Sequence, residues 1–108
     1  MPYLVAFLWW PAESTPQMIK IAIEAAKKFP PDDNLGENLV SNAIGSNKEG
    51  IISLNVTLVK EGKLEESINR ARANINMFLS VPGLRYSIET WATVEEAYGS
   101  IGLTPPEP

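Results

Sequence analysis

Six residues, Gly45 to Gly50 (GSNKEG), separate two segments of strand character, and this link restricts the fold more than any other feature of the chain. A parallel crossover needs a dozen residues or more, whereas a short polar turn joins antiparallel neighbours. Leu39 to Ile44 and Ile51 to Lys60 are therefore expected to form a hairpin. Tyr3 to Trp10, aromatic-rich and bounded by Pro2 and Pro11, reads as a strand before it. Ser14, Thr15 and Pro16 supply a cap and a first-turn proline, and Met18, Ile21, Ala22, Ala25 and Phe29 recur at helical spacing, predicting a helix over 16–29. Pro30 to Glu37 (PPDDNLGE) has loop composition. After the hairpin, Leu64, Ile68, Ala71, Ile75 and Leu79 fall on one helical face, and that helix is expected to stop near Ser80, ahead of Pro82 and Gly83. Leu84 to Trp91 alternates as a strand, and Thr93 with Glu96 forms a capping box that opens a short helix over Val94, Ala97 and Tyr98.

Strand, helix, strand, strand, helix, strand is the order of a ferredoxin-like split βαβ sandwich of the α+β class, with a four-stranded antiparallel sheet, two helices on one face and a short C-terminal helix. With 108 residues, 44% of them hydrophobic, one domain over 1–100 is expected, followed by a flexible proline-rich tail over 101–108.

Composition removes whole classes of chemistry. The chain has no cysteine and no histidine, which excludes disulfides, thiolate nucleophiles, imidazole bases, His-ligated haem and zinc sites built on sulfur or imidazole. No acidic run has calcium-loop spacing, so neither metal nor cofactor is expected. Nine basic against thirteen acidic residues give a net charge of -4, which disfavours a phosphate backbone as partner; an RNA-recognition domain shares the element order but needs exposed central aromatics and a basic surround. The apolar N-terminal stretch lacks a basic lead-in and runs into Pro11 and Glu13, so a signal peptide or membrane span is not expected and the location is read as cytoplasmic.

The strands have more apolar surface than two helices can cover. Tyr3, Val5, Phe7 and Trp9 face one way and Leu4, Ala6, Leu8 and Trp10 the other. Ile52, Leu54, Val56 and Leu58 form an apolar row opposite the mixed row Ile51, Ser53, Asn55, Thr57 and Val59, and Leu84, Tyr86 and Ile88 oppose Arg85, Ser87, Glu89 and Trp91. The expectation is that the apolar rows lie under the helices, while the mixed rows look across a seam at a second copy of the sheet. Burying each large side chain contributes about 1.5 to 3 kcal/mol, and a self-complementary patch closes as a two-fold dimer. The rival cover is the C-terminal segment folded back over the same face.

YLVAFLWWP, GIISLNVTLV and FLSVPGLRYSIETWATVEEAY together resemble small uncharacterised proteins of the dimeric alpha-beta barrel group, whose ferredoxin-like chain ends in a helix, a strand and a short acidic helix. The resemblance covers most of residues 3–98 and rests on element order, without a catalytic signature. It implies a homodimer pairing sheet to sheet. The group includes cofactor-free monooxygenases, lactone isomerases and haem proteins, and this chain lacks the histidine of the haem-binding members.

Chemistry is left to carboxylate, hydroxyl, amide, basic and aromatic groups. The candidate cleft residues are Asn55, Arg85, Glu89, Trp91 and Trp9. Arg85 and Glu89 sit four apart on one strand face, about 13 Å along it, where Arg85 suits an anionic or carbonyl oxygen and Glu89 a proton acceptor, with Asn55 orienting a ligand. The competing reading has these charges satisfying one another across the seam or lying exposed on an edge. Adjacent Trp9 and Trp10 point to opposite faces of a continuing strand, so one at most lines the cleft. Asp32 and Asp33 read as turn formers. Asn69, Asn74 and Asn76 stand out because asparagine is a poor helix former. The function expected is a homodimeric small-molecule-binding or assembly module. The alternative is a cofactor-independent monooxygenase or isomerase acting on a small aromatic or unsaturated substrate, with Glu89 as proton shuttle made less acidic by desolvation.

Overall fold

The computed structural model describes residues 1–106. Strand β1 is Tyr3–Trp10, helix α1 Thr15–Lys28, β2 Gly36–Asn47, β3 Gly50–Val59, α2 Leu64–Asn76, β4 Arg85–Trp91 and α3 Val94–Gly99. The sheet is antiparallel in the order β2-β3-β1-β4, an α+β arrangement consistent with a ferredoxin-like fold. The hairpin is tighter than its six-residue link implied. Gly45 to Asn47 continue β2, and the chain reverses over Lys48 and Glu49, where the Asn47 side chain accepts the Glu49 N–H at 2.8 Å. Gly50 takes φ +113° there, and a Cβ on it would lie 2.6 Å from the Trp10 carbonyl oxygen, so glycine is required both by conformation and by the close approach of β1.

Helix α1 is entered through a 3-10 turn over Ala12–Ser14, and the buried Ser14 hydroxyl donates to the Pro82 carbonyl at 2.8 Å, tying the start of α1 to the loop before β4. Helix α2 ends at Asn76 rather than near Ser80. Met77, Phe78 and Leu79 donate to carbonyls three residues back, so the ladder tightens before Pro82. The tightening turns Phe78 into the core, while Leu79, expected on the buried stripe, is 54% exposed. Thr93 caps α3 by accepting the Glu96 N–H at 3.2 Å, and the Glu96 carboxylate accepts the Thr93 N–H at 2.9 Å. The first residues of the expected tail remain tied to that helix, with Gly102 and Leu103 donating to the Gly99 and Tyr98 carbonyls. The last two residues of the tail, 107 and 108, lie outside the described residues.

Leu8, Trp10, Met18, Ala25, Ile75, Phe78 and Val81 make the core between the helices and one face of the sheet, with Ile21, Ile51, Leu84 and Ile88 packed against them. One expectation is overturned here. Phe7 pairs with Leu54 on one side and Ser87 on the other, and directly paired residues share a face. The apolar row of β3 therefore lies on the open face with the mixed row of β4, and the mixed row of β3 lies under the helices. The helix-facing side is set by Leu8, Trp10 and Ile88, and β3 follows through its register whatever its own polarity. Ser53 is in consequence only 2% exposed, with no partner for its hydroxyl. Tyr86, expected in the core, is 51% exposed because β4 is an edge strand.

Candidate functional site

The two faces of the sheet present different candidates. On the open face, β1 contributes Tyr3, Val5, Phe7 and Trp9, β3 contributes Ile52, Leu54, Val56 and Leu58, and β4 contributes Arg85, Ser87, Glu89 and Trp91. Trp9 stacks on Phe7 with centroids 5.4 Å apart, and Phe7 meets Trp91 at 6.3 Å, so an aromatic strip runs obliquely across β1 and β4. Arg85 lies 5.9 Å from the Trp9 ring centroid at one end of the strip and reaches the Glu49 carboxylate at 3.4 Å; both partners are exposed, so the ion pair contributes little.

At the other end, Glu89 is held by both oxygens. The Ser87 hydroxyl donates to one at 2.7 Å and the Trp91 indole N–H to the other at 2.9 Å. The Ser87 bond chiefly, then the Trp91 bond, holds this carboxyl below the ordinary glutamate range, against a smaller opposing effect of burial. A carboxylate stabilised in its charged form is a weaker base, the reverse of the desolvated proton shuttle expected from the sequence.

Four of the five sequence-predicted residues, Trp9, Arg85, Glu89 and Trp91, thus share the open face. Asn55 does not join them. It pairs with Ala6, which pairs with Ile88, and so belongs to the helix side. There its Oδ1 accepts the Asn42 N–H at 2.9 Å. Asn42 has φ +53°, a left-handed conformation that asparagine tolerates, at the irregular stretch where the β2–β3 register shifts between Asn38 and Ala43.

That irregularity borders a cleft of about 370 Å³ between the helices and the sheet. The cleft exists because the surfaces facing it carry small residues. Ala22, Ala25 and Ala26 of α1, Ala71 of α2 and Ala6 of β1 all line it where larger side chains would close the layers. From α2 come Ser67, Ala71, Asn74 and Ile75, residues that recur at helical spacing on one face, and Phe78 joins them from the tightened turn that follows. Ser67 is 6% exposed, and its Oγ and the Asn74 Oδ1 are buried without hydrogen-bond partners. Thr57 and Asn38, on the opposite wall, bond to each other at 3.0 Å. The two charged residues of the lining bond neutral backbone groups: Arg70 donates to the Pro30 carbonyl and covers the Phe29 ring, and Asp32 accepts the Asn34 N–H at 3.0 Å.

Ser67 and the alanines were not among the candidates read from the sequence. The signal available was a polar row, Ser67 and Asn74 two turns apart, flanking Ala71 and Ile75 of the apolar stripe. Among the described residues no three acidic side chains gather as a metal site needs, and no helix is long and apolar enough to cross a membrane. In comparisons with known proteins no family model matches the chain, and no curated protein or solved structure matches it.

Proposed function

We propose that the chain is a homodimeric small-molecule-binding module of the dimeric alpha-beta barrel kind, closing sheet to sheet over its open face. The observation that carries this reading is that face itself. It holds Tyr3, Phe7, Trp9, Ile52, Leu54, Val56 and Leu58, all partly exposed and without helical cover, beside an exposed Trp91. A patch of this kind on a monomer marks an interaction surface. A second copy suits it because Arg85 and Glu89 flank Ser87 at equal intervals. A two-fold axis lying in the seam and crossing the strands at the level of Ser87, Phe7 and Leu54 opposes unlike charges at both ends. The overall shape agrees, since the molecule measures 48 × 32 × 19 Å and its radius of gyration is 15.5 Å. A compact chain of this length has a radius near about 13 Å. The rival cover, the C-terminal segment, leaves Val94, Ile101 and Leu103 themselves more than half exposed.

Sedimentation equilibrium tests the reading. The wild type should run as a dimer at micromolar concentration, and Phe7→Lys and Leu54→Lys, at the centre of the seam, should run as folded monomers. A wild-type monomer at tens of micromolar, or lysine variants that stay dimeric, would remove it.

The ligand belongs to the alanine-lined cleft on the other side of the sheet, where buried unpartnered groups adjoin open volume. The enzyme alternative has less support: Asn55 and Arg85 lie on opposite faces, and Glu89 is tied as a stabilised anion. Native mass spectrometry of protein taken from its own cells should show a retained small molecule that Ala71→Leu, by filling the cleft, abolishes.

A further inference from the structure

The groups left unused in the cleft define what it can hold. Asn55 spends its Oδ1 on the Asn42 N–H, so what it offers a guest is its NH2 donor. Asn74 offers the reverse, a buried Oδ1 without a donor, and Ser67, two turns earlier on α2, adds a hydroxyl that can take either role. Around them the lining is apolar, with Leu4, Leu8, Ile75 and Phe78 beside the alanines. Asn55, Ser67 and Asn74 are neutral, and the two charged residues of the lining make their hydrogen bonds at exposed positions. Arg70 donates to the Pro30 carbonyl over the Phe29 ring, and Asp32 accepts within its own turn. An ionised group placed against Asn55, Ser67 and Asn74 would lose its hydration and meet only neutral partners there, whereas a neutral donor and acceptor would find complements already desolvated.

We propose that the cleft takes an uncharged molecule bearing a hydrogen-bond donor and an acceptor side by side, as a carboxamide or lactam does, on an apolar body. This rests on the reading that the cleft is a small-molecule site. The carbonyl of the guest accepts from the Asn55 NH2, its N–H donates to the Asn74 Oδ1, and its apolar body lies against the alanines and Phe78. A carboxylate guest held by Arg70 is the competing chemistry, and it predicts a different order of affinities.

Three probes that share one tail separate these possibilities: octanamide, octanoate and octylammonium, titrated into the full-length protein and followed by proton–nitrogen correlation spectra. Octanamide should saturate with shifts centred on Asn55, Ser67, Ala71 and Asn74, at least about tenfold more tightly than either charged probe. Octanoate binding as tightly as octanamide, with shifts at Arg70, would overturn the uncharged class while leaving the cleft a binding site. No movement of cleft signals with any probe, or movement on the open face alone, would overturn the binding reading as well. Asn74→Leu should reduce the preference for octanamide over octanoate to under about threefold without lowering the melting temperature, because the acceptor it removes has no partner in the unliganded protein. A folded variant that keeps the full preference would overturn the assigned head-group contact. Ala71→Leu, with a wild-type spectrum elsewhere, should abolish binding of octanamide.

Discussion

Glu89 shows how side chains two positions apart along a strand decide what a carboxylate can do. Ser87 and Trp91 project from the same face on either side of it and each donates to one of its oxygens. Since the folded pKa lies below the unfolded one, the associated stabilisation is fully present above the ordinary glutamate value of about 4.3 and is lost as pH falls through the lowered folded value. Carbon-13 titration of the side-chain carboxyl should place Glu89 below the unstructured value, and Ser87→Ala should move it back upward. An unchanged midpoint in that variant would show that the Ser87 bond does not set it. The spacing of Ser87, Glu89 and Trp91 was visible in the sequence, and so was their common face. What the sequence did not show is that the two donors turn inward upon the carboxylate. Alternation fixes the side of the sheet a residue occupies but leaves its rotamer to its neighbours. Trp10 is the more legible case. Its burial follows from strand alternation, and its indole N–H is satisfied by Thr15 at 3.2 Å, as a buried tryptophan requires.

At the scale of elements, local chemistry was read most securely where it closes on itself. The capping box at Thr93 and Glu96 is such a case, with both reciprocal bonds formed within four residues. Thr93→Ala should cost about 1 kcal/mol of α3 stability. Because α3 presents Val94 to solvent and buries none of its residues, the loss should be local. Amide exchange at residues 94–99 should accelerate while the melting temperature of the sheet stays within a degree or two; a large fall in global stability would show that α3 is integral to the core. The Glu96 carboxyl, held below its usual range chiefly by the Thr93 backbone N–H and then by the Met1 amine 3.2 Å away, should release α3 as it protonates in acid. Helix α2 was read less completely. Its stripe gave the right element but placed Leu79 inward, because the periodicity was extended past Asn76, where the chain tightens and the angular step per residue changes. Phe78 takes the core position, and Phe78→Ala should destabilise the fold by about 3 to 5 kcal/mol in urea unfolding, near the top of the range for single substitutions.

The whole molecule is a two-layer slab whose open sheet face carries Phe7, Trp9, Ile52, Leu54, Val56 and Leu58 without helical cover, and the proposed association through that face has a thermodynamic test. If the open face closes on a second copy, the melting temperature should rise with protein concentration, since anything that binds only the folded state stabilises it by mass action. Phe7→Lys should remove that dependence; a melting temperature that is flat with concentration in the wild type would argue for a self-sufficient monomer. The sequence by itself determined the type and order of the elements, the hairpin at the short polar link, the capping box and the alternation of each strand, because each of these is set by residues within a few positions of one another. It also determined that both sides of the sheet would be apolar, since alternate rows of β1 are equally so. Only the tertiary structure decided which row of β3 joins which row of β4. Register is a relation between strands distant in the chain, and a shift of one residue exchanges the two faces completely. That exchange moves Asn55 away from Arg85 and Glu89, puts Ile52, Leu54, Val56 and Leu58 on the open side, and leaves Ser53 buried without a partner. The cleft was decided in the same way, because an alanine contributes open volume only when the residues facing it across the layers are also small, and that pairing is made by packing alone.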